Sequence, residues 1–366
     1  MWIALTDPTG SLFKPEGIGA GPNARALVAA GPDAVMPRGS LLIETRLPPI
    51  NGPKALIAYD RGGRIPLHLS LQALPGGGLV FVLDQDGEML HGSINAAETG
   101  RTDILRVTYS WDAVAGWGQL ALERPEDNVV QTVQVRRPRP LPVADIRAIA
   151  GGAGLANIAP EVLFVAASTG VEPVGPMPSL TADTPLATPK GHMAAGKLRR
   201  GDLVRTANGQ DVPVLQRVER VVPAAGSFRT LTLKAPYFDL ERDIDVAAFQ
   251  RVVLRGSVVE YMFGTEAVLV PAAHLVGVRS AAALPRARTM PLVRYVQLLL
   301  PGNEALMAAG TAVESLYIGR IRRNGERLAS SLLAGCDRSR LPEHARPVHR
   351  VLPPFEAVVL AETRAA

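Results

Sequence analysis

Cysteine is almost missing from this chain: Cys336 is the only one in 366 residues. That excludes a disulfide within the chain and any thiolate-rich metal site. The six histidines are scattered at 68, 91, 192, 274, 344 and 349, and none are spaced i, i+4 to put two ligands on one helical face. His344 and His349, the close pair, sit in proline-rich text and read as surface. No metal and no cofactor is expected. Uninterrupted apolar runs stay well short of the roughly 18 residues a membrane helix needs. The opening "MWIALTDPTGSLF" has no basic start followed by an apolar stretch of leader length. The expectation is a soluble product, cytoplasmic or exported without a cleaved leader.

Charge of one sign is scarce except in one place. Between Ile318 and Arg350 stand eight arginines (320, 322, 323, 327, 338, 340, 346 and 350) against Glu326, Asp337 and Glu343, which accounts for the net charge of +5. No aromatic residue interleaves with them beyond Tyr317, so a stacking platform for single-stranded nucleic acid is not supported. The expectation is a solvated face whose arginine stems cover apolar surface, with nucleic acid disfavoured as a partner.

What the sequence does have is punctuation. Thirty-five glycines and 31 prolines interrupt a chain that is 47% hydrophobic, enough to bury a core but in short pieces, which favours many strands over long helices. From residue 38 the text alternates through "GSLLIETRLPP", "PKALIAYDR", "IPLHLSLQAL", "GGLVFVLDQDG", "DILRVTYSWDA" and "GWGQLALER", the spacing of an all-β sandwich. In "LVFVLDQDGEML", Asp84 and Asp86 could offer oxygens to calcium, but a hairpin turn with Gly87 at positive φ explains them more simply. "VRRPRPLPV" (135–143) reads as a domain break, "ADIRAIAGG" as a short helix capped at Gly151 and Gly152, and "TGVEPVGPMP" as a second linker.

The hairpin "LRVTYSWDAVAGWGQLALER" (105–124) resembles one found in concanavalin-like, laminin-G-like jelly rolls. The resemblance covers roughly residues 38–138. Such sandwiches can stack an aromatic ring on a sugar, which makes Trp111 and Trp117 candidate ligand-binding residues; the plainer alternative has both rings packing a sandwich edge.

After Pro178 the strands resume, and "SLTADTPLATPKG…GKLRRGDLVRTANGQ" resembles the Hedgehog/intein (Hint) superfamily, in particular its bacterial branch. "FGTEAVLVPAAHLV", "VRYVQLLLPGNEALMAAGTAVESL" and "ARPVHRVLPPFEAVVL" continue the likeness in order over about 180 residues. The resemblance implies an all-β, horseshoe-like domain. In that family a Cys or Ser at the first position attacks the preceding carbonyl, and a histidine of a later block moves the proton.

Carried onto this chain, the first position is Ser179, after Pro178, and the histidine's place is held by Gln250 in "AAFQR". Gln297 and Asn303 stand where the branch commonly has histidine. An amide can donate a hydrogen bond but cannot shuttle a proton near pH 7. Thr181, Asp183 and Thr184 are expected to shape the turn around the site. His192 and His274 remain for proton work, and the simpler account makes the first exposed and the second a core histidine. Asp202 is read as a turn residue.

The expected order is therefore a sandwich over 1–140, a linker with a short helix over 141–178, a Hint-like domain over 179–325 and an Arg/Pro-rich tail over 326–366 packing on it. Three functions compete. One is a degenerate, non-cleaving Hint protein that binds or assembles with itself or another protein. The second is an autoprocessing protein that cuts its own peptide bond at Pro178–Ser179. The third is a glycan binder.

Overall fold

The computed structural model describes residues 1–365 apart from 22–24, 26–30, 32, 96, 153–155, 277–281 and 288. Its contacts divide the chain into two units, Met1–Val174 and Gly175–Ala366.

In the first unit the alternating text becomes two antiparallel sheets. Strands Val129–Arg136, Trp117–Arg124, Asp103–Asp112, Arg38–Leu47, Val162–Ser168, Trp2–Asp7 and Gly10–Phe13 form a seven-stranded sheet in that spatial order. The other sheet runs Asn157–Ile158, Lys54–Arg61, Leu67–Leu74, Gly78–Gln85 and Glu88–Asn95. Because side chains alternate along a strand, Leu41, Ile43, Val107, Tyr109, Leu120 and Leu122 share one face and enter a single apolar core with Leu69, Leu71, Phe81 and Leu83. The architecture is a β-sandwich. At the Asp84–Gly87 turn the Gly87 N–H donates to Asp84 Oδ1 at 2.9 Å, and Gly87 takes φ 80°.

The opposite face of the larger sheet holds the unexpected feature. Glu44, Arg106 and Glu123 stand side by side across three strands, all buried. Arg106 Nε and Nη2 donate to Glu44 Oε2 at 3.1 and 3.0 Å, and Nη1 lies 3.7 Å from Glu123 Oε2. Alternation predicts polar residues on that face, and it makes them look solvated. The cross-strand register instead places opposite charges next to each other, which is what makes their burial tolerable.

Of residues 141–178, expected to link two domains, the described ones up to Val174 belong to the first unit instead, and 175–178 to the second. Strand Val162–Ser168 lies between Arg38–Leu47 and Trp2–Asp7. Its "VLFVAAS" is apolar on both faces, as a central strand requires. The helix Val143–Ala150 ends at Gly151 as its sequence suggests. It is fastened through the buried Asp145, which accepts from Tyr59 Oη at 2.8 Å and pairs with Arg61 Nε at 2.7 Å.

Trp111 requires a second correction. It is fully buried, stacks on Tyr109 with ring centroids 5.4 Å apart, and donates its indole N–H to the Met36 carbonyl at 2.9 Å. Gly39 faces it across the strands, where an added Cβ would come within 2.7 Å of the indole Cζ2. A ring in that position cannot meet a sugar. Trp117, paired with Asp112 and Arg136, is only half-buried. Trp111→Phe keeps most of the packing but leaves the Met36 carbonyl without its donor. A loss of about 1–3 kcal/mol is expected, read from the urea unfolding midpoint; an unchanged midpoint would mean the bond contributes nothing.

The second unit also holds two main sheets. One runs Gln216–Pro223, Leu292–Leu299, Leu180–Thr181, Ile244–Ala247, Thr230–Leu233, Ala283–Pro285. The other runs Gly191–Ala194, Pro185–Thr188, Ala305–Ala308, Thr311–Glu314, Arg251–Arg255, Ala267–Pro271, Arg350–Val351. The tail expected over 326–366 is woven into this unit through its described residues, 326–365. Leu328, Leu333 and Leu341 join Val218 and Leu299 in one cluster, Arg350–Val351 pairs with Ala267–Pro271, and Leu352, Ala357 and Leu360 enter the main core.

The arginines of this region bond locally. Arg323 and Arg322 both reach Glu343, whose carboxyl they hold at about 2, and Arg350 pairs with Glu356 at 2.8 Å.

His344 is buried rather than exposed. Its Nδ1 accepts from the Ile318 N–H at 3.3 Å, and Nε2 donates to the Leu300 carbonyl at 3.2 Å. Burial lowers its pKa from the ordinary 6.5. The unfolded chain therefore takes up the proton more readily, so the stability this residue contributes is full above about pH 6.5 and falls as the pH drops below it. His349, lowered by burial and by Arg255, acts in the same direction. Urea midpoints measured from about pH 7.5 down to about pH 5.5 are expected to fall, and less steeply in His344→Gln. An equal slope in the variant would contradict this.

Candidate functional site

The site begins on the short strand Leu180–Thr181, which fits between Ile244–Ala247 and Leu292–Leu299. Leu180 faces the core, and alternation turns its neighbours Ser179 and Thr181 the other way. The Ala247 N–H donates to the Ser179 carbonyl at 2.7 Å, which holds the residue at the sheet. Ser179, Gln250 and Gln297 are all buried.

Two amides saturate the serine. Ser179 Oγ donates to Gln250 Oε1 at 2.6 Å and accepts from Gln297 Nε2 at 3.1 Å. Gln297 Nε2 also lies 3.0 Å from Gln250 Oε1 and 3.2 Å from the Glu314 carbonyl. Gln250 Nε2 donates to the Arg251 carbonyl at 2.7 Å and to that of Glu314 at 3.3 Å. Every group bonded to the hydroxyl is neutral and none titrates near pH 7. An amide oxygen that accepts the Ser179 hydrogen bond cannot act as a base near pH 7.

Beneath the amides lies a buried ion pair, Arg251 Nη1 to Glu314 Oε2 at 3.2 Å. Burial raises the Glu314 carboxyl against the pull of Arg251. Sequence reasoning missed Glu314. Its main-chain oxygen receives both glutamines while its side chain anchors the residue next to Gln250. The only trace in the text is an acid ending the apolar run "TAVE".

Thr181 Oγ1 donates to the Asp245 carbonyl at 3.1 Å and lies 3.1 Å from Thr184 Oγ1, a turn-shaping role. Asp183 is exposed on that turn and bonds none of the buried groups. Asn303 bonds neither Ser179 nor the glutamines: its Oδ1 accepts from the Val348 N–H at 2.8 Å, and its side chain acts on the Glu314 carboxyl, helping Arg251 oppose the upward push of burial. His192 is exposed on strand Gly191–Ala194. His274 is half-buried on the turn Ala272–Leu275, whose Ala272 N–H bonds the Gln250 carbonyl at 2.8 Å. Asp202 accepts from the Arg199 N–H at 2.8 Å within its own turn. Among the described residues no three His, Cys, Asp or Glu side chains gather as metal ligands, and no helix is long and apolar enough to cross a membrane.

The profile of one protein family, described as a Hint domain, matches residues 178–320. Among solved structures, the chain is similar to the MchDnaB-1 intein at 20% identity, covering 37% of this chain and 98% of that one, with a TM-score of 0.26. It is also similar to the LG1-3 region of the laminin alpha2 chain, at 7% identity over 86% of this chain and 56% of that one, TM-score 0.26. A third similar structure is the LG4-5 pair of the mouse laminin alpha1 chain, at 12% identity over 76% and 71%, TM-score 0.22. No curated protein matches the chain significantly.

Proposed function

We propose that this chain, which carries a Hint domain over residues 178–320, uses that domain as a non-cleaving module for binding or assembly with another protein or a second copy of itself. The observation that carries this reading is the bonding of Ser179 Oγ, which donates to one glutamine and accepts from another inside a buried cluster. A serine hydroxyl is a weak nucleophile at neutral pH and needs a base, and neither amide can be one. The loss of general acid–base help alone slows such a step by about 100- to 10,000-fold.

The test is the intact mass of the purified chain after prolonged incubation with hydroxylamine or a thiol. An undivided chain is expected. Fragments meeting between Pro178 and Ser179 would replace this reading with autoprocessing. Glycan binding loses one of its two candidate rings through the burial of Trp111.

A further inference from the structure

Two residues beyond Ser179, on the same face of the same sheet, a cleft opens at Thr181. Its volume is about 240 Å³ and it lies wholly within the second unit. Three arginines from three separate segments line it: Arg229 ahead of strand Thr230–Leu233, Arg286 after Ala283–Pro285, and Arg294 in Leu292–Leu299. Between them Met290, Leu292 and Val293 supply an apolar part of the lining, and Thr181, Thr230 and Thr289 a polar one.

The arginines differ in what they already hold. Arg286 pairs with Asp245, whose Oδ1 also accepts from Thr232 Oγ1 at 2.6 Å. Arg294 Nη2 pairs with Glu219 at 2.6 Å, and Arg217 approaches the same carboxylate at 3.4 Å. Arg229 is exposed, and among the described residues no acid meets its guanidinium. The cleft thus keeps an excess of positive charge, and one planar fork of donors is uncommitted.

We propose that this cleft binds a small organic carboxylate with an apolar body. The uncommitted Arg229 fork matches a carboxylate in bidentate geometry, while the apolar part of the lining, Met290, Leu292 and Val293, rewards a ligand that brings a hydrocarbon group. The size suits a single ring or a short branched chain. The proposal gives the binding reading a ligand class and rests on it in one respect only, that the domain holds ligands instead of cutting. Cleavage would show in the mass of the chain and a failed ligand in a titration, so the two can fail separately.

The experiment titrates the full chain with benzoate, with benzyl alcohol as the uncharged counterpart and with inorganic phosphate as the bare anion, by calorimetry or proton NMR. Benzoate is expected to bind, and the other two more weakly. Arg229→Ala is expected to weaken benzoate at least about tenfold, Arg229→Lys to recover part of the loss, and Arg340→Ala, outside the cleft, to change nothing. Absence of benzoate binding, equal binding of benzyl alcohol, tighter binding of phosphate, or indifference to Arg229→Ala would each overturn the proposal. Circular dichroism of the Arg229 variants separates lost binding from lost folding.

Discussion

Substituting Ser179→Cys, Gln250→His and Gln297→His together is expected to yield a chain that divides after Pro178, whereas the parent is expected to stay whole. Each change answers a specific deficit. A thiol ionises far more readily than a hydroxyl and is the stronger nucleophile. A histidine at 250 would put a titratable nitrogen where an amide oxygen now sits 2.6 Å from the serine Oγ. A histidine at 297 would replace the amide that donates to the same atom. Proton transfer by a positioned imidazole contributes about 100- to 10,000-fold in rate. Ser179→Cys alone is expected to stay largely undivided, because a nucleophile without a proton carrier cannot release the amide nitrogen. The readout is intact mass against time. A triple variant that folds, by circular dichroism, and still shows no fragments would overturn the proposal that the amides are what prevents cleavage.

Removing one partner of the buried Arg251–Glu314 pair is expected to cost about 3–5 kcal/mol. Arg251→Met strands a carboxylate that burial already pushes upward, and Glu314→Leu strands the guanidinium. In Arg251→Met the Glu314 pKa rises further above that of the unfolded chain. Its protonated form is stable below the unfolded value, and stability is lost as the pH rises through the folded value. The deficit should therefore shrink in acid. The double variant Arg251→Met, Glu314→Leu is expected to lose less than either single variant, since no uncompensated charge remains. Urea unfolding over a pH series checks all three. Single variants within about 1 kcal/mol of the parent would show the pair to be dispensable.

The consequence reaches the site itself. Glu314 supplies the carbonyl that both Gln250 and Gln297 bond, so the ion pair and the amide cluster share one residue. Loosening the pair should free the glutamines as well as weaken the unit.

Much of this was legible in the chain's text. Short alternating runs closed by glycine and proline announce strands, since the two-residue repeat of a sheet is written directly into the residue order. The blocks from "SLTADTPLATPKG" onward resemble the family whose profile matches residues 178–320, and in that frame Ser179, Gln250 and Gln297 are named from sequence. That the three touch is consistent with that reading. Other features were not legible, for a common reason. Trp111 sits beside a turn, as a surface ring would, yet it is buried because Gly39, 72 positions earlier, leaves room across the strands. Asn303 lies six residues after Gln297, but the strand ends between them, and its side chain meets Val348 and the Glu314 carboxyl, not Ser179.

By itself, then, the sequence determined that this chain is all-β and that it carries a Hint domain, and it brought Ser179, Gln250 and Gln297 forward as candidates. Periodicity and block order are local properties, and they can be read along the chain. Only the tertiary structure decided that Val162–Ser168 is a central strand of the first unit, that Glu44, Arg106 and Glu123 are buried as a row, and that the Glu314 carbonyl receives both Gln250 and Gln297. Each of these depends on which strand pairs with which and in what register, between residues that lie tens of positions apart.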